Sequence, residues 1–471
     1  MRLARPQFQM TVARRLARFV VDLDLEAIPD RVVSQSVDLV LDTLGNALAA
    51  VNDDFGRAVL AVARDLGGPP DITLIGGYTR VGVANAVLAN ATLAHGLDFD
   101  DTREDAIVHT SCVAVTTALA AGEATDASGH GLLEAVIAAV EVMCRIGLAV
   151  PGALHARHFH PTAITASFAA AAAAGKLYRL SEDELVRAFG ICGSQASGII
   201  EYLADGSWTK RLHPGWNAHA GVIATRLARA GFTGPDTVFE GTHGLYQAFA
   251  GGHDAAKLDA LLDTLGRAWE IGELTLKPYP CGSIAQPYMD CAARLRGEHG
   301  VRAEHITAIR CRTSAGPVPR LWEPLAAKHA PPNGYAAKFS LPYLIASIFV
   351  GGKVGLAEFA DDAAHDPAVL RIARLVTYEI DPTIDYPRQF VGDVEVTLAD
   401  GRTIRERQDR PRGGPDAPLT RAELEAKFRG NAALALPAAR GERIIEHVYG
   451  LTAGGPLAAL VAALSVEEKR A

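Results

Sequence analysis

The stretch LAHGLDFDDT, residues 93–102, sets Asp98, Asp100 and Asp101 beside a histidine and a threonine in a chain that is otherwise rich in apolar residues. Acids packed this densely suit three things: a metal cage, an acid–base apparatus, or the polar start of a helix. His109 follows a few positions on. Four other stretches carry chemistry. HARHFHPTA holds His155, His158 and His160. EYLADGSWTKRLHPGWNAHAG holds Lys210, Arg211 and His213 on a Gly/Pro-punctuated loop that leads into a helix. LKPYPCGSIAQPYMD holds Lys277 before a stiff turn, and AAKFSLPY holds Lys338, Ser340 and Tyr343.

Each stretch also has a plain structural reading. Asp98 to Asp101 fit a helix N-terminus, where carboxylates meet free N–H groups. The histidines fit a surface loop, Lys210 and Arg211 a solvated basic patch, and Tyr343 a half-buried core aromatic. The spacing matches neither HExxH nor a calcium-binding EF-hand loop, so no metal is expected. No GxSxG elbow, P-loop or complete GxGxxG motif is present.

The elements that must position these residues follow from composition and periodicity. The chain has 471 residues, 49% hydrophobic and 21% charged, enough to bury a large core and to divide into two domains. A net charge of −8 gives no basic footprint for nucleic acid or for an anionic membrane. Six scattered cysteines without a CxxC pair argue against a zinc ribbon or a disulfide framework. The greasiest run, TAITASFAAAAAAGKLY (162–178), is mostly alanine and reads as a packed helix rather than a membrane span. The Arg-rich start, MRLARPQFQMTVARRLARFVVDLDLEAIPD, reads as a first helix rather than a transit peptide, so a cytoplasmic location is expected.

From residue 10 to about 265 the pattern is helical, with a capping box at Ser181 and Glu184. Near residue 272 it changes. HITAIRCRTS, ARLVTYEID and DVEVTL alternate as strands do, and ADGRTIRER reads as a turn and a returning strand. After RPRGGPDAPLT the helical pattern resumes at a second capping box, Thr420 and Glu423.

Taken together, LAHGLDFDDT…H, FHPT, DGSWTKRLHPG…AGVIATRLARAGFTGP, KPYPCG and KFSLPY resemble the MmgE/PrpD family. That family includes 2-methylcitrate dehydratases, cis-aconitate decarboxylases and an iminodisuccinate epimerase. The likeness runs nearly end to end. It implies a mainly α fold: a large all-α helical domain formed by both chain ends (1–270 and 410–471) plus a smaller inserted α+β lid domain (271–409). It also implies a homodimer and no cofactor. The family's active-site positions fall on Asp98, Thr102, His109, His160, Lys210, Lys277 and Tyr343. The sequence departs from the family at two places. In the decarboxylase branch a His stands where this chain has Gly282, and many other members carry one where this chain has Gln286.

The reactions of such a family share one step, making a carbanion beside a carboxylate, and fixed cations must neutralise the added charge. Lys210 and Lys277 suit that role, with Arg211 and His213 as further substrate-binding candidates. A substrate bridging the two lysines, one on each domain, would draw the lid shut. His109 and His160 suit proton transfer because histidine titrates near neutrality. Asp98 suits orienting a histidine or acting as the base in a dehydration, and Asp100 and Asp101 suit capping the loop. The expected function is a cofactor-independent lyase that dehydrates a 2-methylcitrate-like di- or tricarboxylate. Epimerisation at a carbon α to a carboxylate and cis-aconitate-type decarboxylation are the alternatives, and a non-catalytic dimer of the same fold is the reading from a different class. The expected partner is a small carboxylate, with no nucleic acid and no membrane.

Overall fold

Small residues decide how the helices meet. In the computed structural model, which describes residues 10–386 and 388–465, the alanine-rich run forms the helix Pro161–Leu177, buried along its length from Pro161 to Gly175. It packs against the helices Ser111–Ala124, Gly129–Leu148 and Thr209–Arg229. The last of these also crosses Val83–His95. A Cβ at Gly221 would strike the Ser167 carbonyl, and one at Gly215 would strike the Leu88 carbonyl and Thr92. Glycine at these two positions is what lets the helix lie so close, and that approach brings Lys210, in its first turn, up to the end of Val83–His95.

Both expected capping boxes form, at Ser181/Glu184 and Thr420/Glu423. The expected first helix appears as Val12–Asp22, and residues 1–9 of that segment lie outside the described residues. Among the described residues no helix is long and apolar enough to cross a membrane. All six cysteines are buried free thiols.

The buried apolar residues fall into two separate clusters. One runs from Val12 to Leu276 and resumes at Leu424, so the last helices return to the first core. Arg421–Ala432 packs on Asp30–Ala50, where Lys427 pairs with the buried Asp42 at 2.7 Å. The second cluster spans Tyr279 to Leu398 and surrounds a four-stranded sheet. In that sheet Ile306–Thr313 pairs in parallel with Val376–Ile380 and antiparallel with Gly392–Leu398. Gly392–Leu398 then forms a hairpin with Thr403–Gln408 across Asp400-Gly401, a turn dipeptide. The helix Gln286–Gly297 lies across that hairpin and packs on Leu341–Gly351. The whole is mainly helical with one substantial sheet.

Candidate active site

The site begins where the helix Val83–His95 ends. Residues 96–110 loop over to the helix Ser111–Ala124, with Asp98 and Ile107 in the left-handed region at φ 58° and 56°. A non-glycine residue held there is strained unless its surroundings fix it. Here three buried lysines from distant parts of the chain hold three successive carbonyls. Lys338 Nζ donates to the Leu97 carbonyl at 2.8 Å, Lys277 Nζ to that of Asp98 at 3.0 Å, and Lys427 Nζ to that of Phe99 at 2.8 Å. Thr102 and Thr275 exchange backbone hydrogen bonds, both 2.9 Å, which fastens the segment carrying Lys277 to the loop.

The side chains of this loop divide their work. Asp101 accepts from the backbone N–H groups of Thr110 and Ser111 and from both hydroxyls, so it caps the following helix. Asp100 does not cap: it takes a hydrogen bond from His95 Nδ1 at 2.7 Å and lies 4.0 Å from Lys277. Asp98 pairs with Lys210 and sits 3.6 Å from Lys277. Burial alone would raise the Asp98 carboxyl, but the Lys210 and Lys277 charges outweigh it and hold the group well below the usual carboxylate range. Asp98 is engaged by two ammonium groups, so its place is electrostatic. The two lysines thus meet on Asp98.

His109 and His160 face the same cavity, together with Asp98, Thr102, Lys210 and Lys277. Neither histidine has the ordinary near-neutral titration expected from its residue type. Burial pushes His109 down to about 3, against the pull of Asp100, and pushes His160 well below 6.5 with the help of His213 and Lys210. Both imidazoles are therefore neutral at pH 7. His109 Nδ1 donates to the Asp101 carbonyl at 2.7 Å, which leaves Nε2 as its basic nitrogen. His160 Nδ1 shares a hydrogen bond with His213 Nδ1 at 3.1 Å. Thr102 Oγ1 lies 2.7 Å from Ser283 Oγ. Asp98 Oδ2, in the cavity wall, and Asp100 Oδ1 and His95 Nε2 behind it are buried without a hydrogen-bond partner.

Three of the expected site residues lie elsewhere. Tyr343 is in the core of the α+β unit, its hydroxyl donating to the Glu358 and Ala363 carbonyls at 2.7 and 3.1 Å. Ser340 caps the helix Leu341–Gly351, and the buried face of that helix carries Tyr343 inward. Arg211 is sandwiched between Phe55 and Tyr335, 4.3 and 4.2 Å from the ring centroids, and does not line the cavity. His213 stands behind His160 as its hydrogen-bond partner rather than in the cavity wall. Conversely, the cavity is also lined by His155, Tyr202, Ser283, Arg320 and Tyr386, which the sequence did not assign to a site. His155, Tyr202 and Ser283 fall within the runs singled out in the sequence, whereas Arg320 and Tyr386 do not.

A metal would find one group of ligands among the described residues: His95, Asp100 and His109, whose ligating atoms lie within 4.8 Å of one another. His95 Nδ1 is engaged by Asp100 and His109 Nδ1 by the Asp101 carbonyl, which leaves each ring only its Nε2 for a metal. The Lys277 ammonium beside Asp100 opposes a further cation.

Residues 14–258 match the MmgE/PrpD N-terminal domain and residues 279–451 the MmgE/PrpD C-terminal domain. The chain belongs to the MmgE/PrpD family. It is an enzyme of that family, similar along nearly its whole length to proteins named for one activity. It is 26% identical to a cis-aconitate decarboxylase-like protein of Aspergillus oryzae, over 97% of this chain and 98% of that one. It is also 26% identical to the cis-aconitate decarboxylase of Homo sapiens, over 94% and 92% of the two chains. The cis-aconitate decarboxylase of Aspergillus terreus is 23% identical over 93% of each.

The two departures from the family's histidines differ in consequence. Gln286 is a structural clasp: its side chain accepts from the Tyr279 N–H at 3.2 Å and donates to the Tyr279 and Cys281 carbonyls at 2.9 and 3.2 Å, fixing the turn after Lys277. Gly282 lines the cavity, and a Cβ there would meet only Phe339 and the Lys338 carbonyl, at 3.6 and 3.8 Å. Gly282 thus lies in the cavity wall, whereas Gln286 faces the turn.

Proposed function

We propose that the protein is a cofactor-independent lyase that dehydrates a small hydroxy di- or tricarboxylate through a carbanion formed beside a carboxylate. The observation that carries this is the meeting of two lysines, Lys210 and Lys277, at a cavity also lined by two neutral imidazoles, His109 and His160. The substrate carboxylate beside the reacting carbon binds at the lysines, which take up the second negative charge as the C–H proton leaves. His109 Nε2 receives that proton, and Asp100, 3.7 Å from the ring, steadies the imidazolium. The negative charge of the bound carboxylates raises His160, which takes up a proton through His213, partly open to solvent, and passes it to the departing hydroxyl, which leaves as water. Asp98 keeps the lysines charged and in place.

The names of the relatives favour a second reading, decarboxylation, in which CO₂ rather than a proton leaves to give the same kind of carbanion. One experiment separates these. Citrate, 2-methylcitrate and cis-aconitate are each incubated with enzyme in D₂O and followed by NMR and CO₂ release. An alkene signal from a hydroxy acid supports dehydration, and CO₂ from cis-aconitate supports decarboxylation. Deuterium entering recovered substrate without net change would point to epimerisation. Inertness toward all three would remove the lyase reading. Activity should survive chelation, and loss restored by one divalent metal would transfer the chemistry to His95, Asp100 and His109.

A further inference from the structure

We infer that Arg320, on the short helix Val318–Leu321, is the subsite for a substrate carboxylate remote from the reacting carbon, and that it selects dicarboxylates over monocarboxylates. This deepens the lyase reading and rests on it. Arg320 lines the same cavity as the lysines but comes from the α+β unit. Its guanidinium donates from Nη1 to the His155 ring, 3.0 Å from Nδ1, and from Nη2 to the Tyr386 hydroxyl at 3.0 Å. Both acceptors are uncharged: burial, reinforced by Arg320 itself, pushes His155 down to about 3.

Among the described residues no carboxylate lies within ion-pair distance of Arg320. Its neighbours in the α+β unit are unlike it in this. Arg294 pairs with Glu406, Arg310 with Glu395, Arg312 with Glu379 and Arg405 with Asp393. An arginine has five N–H donors in a planar fork that matches a carboxylate, and two held by neutral groups leave the rest free. The backbone beneath is anchored as well, since Lys328 Nζ donates to the Arg320 carbonyl at 2.6 Å. A positioned cation without an anion, facing a cavity whose other cations gather around Asp98, is the feature a second substrate carboxylate would complete.

The test is a calorimetric titration with two non-reacting ligands of nearly equal shape, glutarate and its mono-amide, on the wild type, Arg320→Met and Arg320→Lys. The wild type should bind glutarate on the order of 10²-fold more tightly than the mono-amide. That ratio should collapse toward one in Arg320→Met and be partly kept in Arg320→Lys, which retains charge but not the fork. An Arg320→Met protein that kept the full ratio, or that weakened both ligands by the same factor, would overturn the subsite while leaving the lyase reading intact. An Arg320-dependent preference in a protein inert toward every carboxylate substrate would keep the subsite and remove the lyase reading. Failure of the wild type to bind either ligand would overturn both.

Discussion

On the helical side of the cavity nearly every charge meets a partner from the chain itself. Asp98 has Lys210 and Lys277, Asp100 has His95, and Asp42 has Lys427. On the α+β side Arg320 meets only the neutral His155 and Tyr386. The first wall is a finished electrostatic arrangement, built before any substrate arrives, with a left-handed Asp98 at its centre. The second offers an uncommitted cation. Preorganised charge is what a carbanion requires, because groups already in place need no reorganisation at the moment of reaction. Recognition can be left to a wall that the ligand completes.

The largest effect should come from breaking the finished wall. Lys210→Met and Lys277→Met are each expected to lose on the order of 10²-fold or more in kcat/KM. Because both lysines act on Asp98, the double variant should lose less than the product of the two. Each single change also leaves the buried Asp98 with one cation fewer, which should lower thermal stability, and adding Asp98→Asn should restore part of it. Simply multiplicative losses with unaltered melting would show that the lysines do not share one anion.

Next come the imidazoles. His109→Gln and His160→Gln preserve a hydrogen-bonding side chain but cannot carry a proton near pH 7, so kcat should fall about 10²- to 10⁴-fold in a folded protein. The pH profile sharpens the point. With the His109 pKa lowered to about 3, the basic form is fully present above that value and is lost only as the pH falls toward it. The acid limb of kcat/KM belonging to this group should therefore lie near 3 rather than 6.5. A limb centred at 6.5 would mean an unburied base.

How much of this was legible in the sequence differs between the two walls for the same reason. Asp98, Thr102, His109, His160, Lys210 and Lys277 lie in dense polar runs within an apolar chain, and the structure brings them around one cavity. The strand alternation and both capping boxes were readable because period and cap chemistry are local. Arg320 and Tyr386 are single residues in ordinary surroundings, so nothing local marked them. The three-lysine hold on the carbonyls of residues 97–99 was invisible because backbone acceptors have no sequence signature. Lys338 was noticed only as a member of its run, and Tyr343, the residue taken from that run, points the other way.

A smaller effect is expected at Lys338, which joins the walls by donating to the Leu97 and Pro280 carbonyls, both at 2.8 Å. Burial lowers its ammonium from 10.5 to about 7, so between these values the unfolded chain binds more protons than the folded one. Stability from this group therefore rises with pH across that window and is flat below it. Lys338→Met should remove that rise and, by leaving two carbonyls unpaired, cost about 1–3 kcal/mol. Urea midpoints at pH 7 and pH 10 check it, and an unchanged pH slope would count against the buried cation. Turnover should fall only about 3- to 10-fold, since the loop keeps its other two lysines.

The smallest effect is expected at Tyr343, and it tests whether the walls are divided as described. Its hydroxyl donates to two carbonyls inside the α+β core and does not line the cavity. Tyr343→Phe removes the hydroxyl and leaves those carbonyls without this donor, at a cost of about 1–2 kcal/mol. In a chain of this length that shifts the melting temperature by only about 1–2 °C. Both kcat and KM should stay within about twofold of the wild type, because no group touching substrate has changed. A catalytic tyrosine would behave in the opposite way, with a rate loss on the order of 10²-fold and normal melting. That outcome would require the ring to swing out of the core into the cavity. The α+β wall would then hold a proton donor as well as a carboxylate anchor.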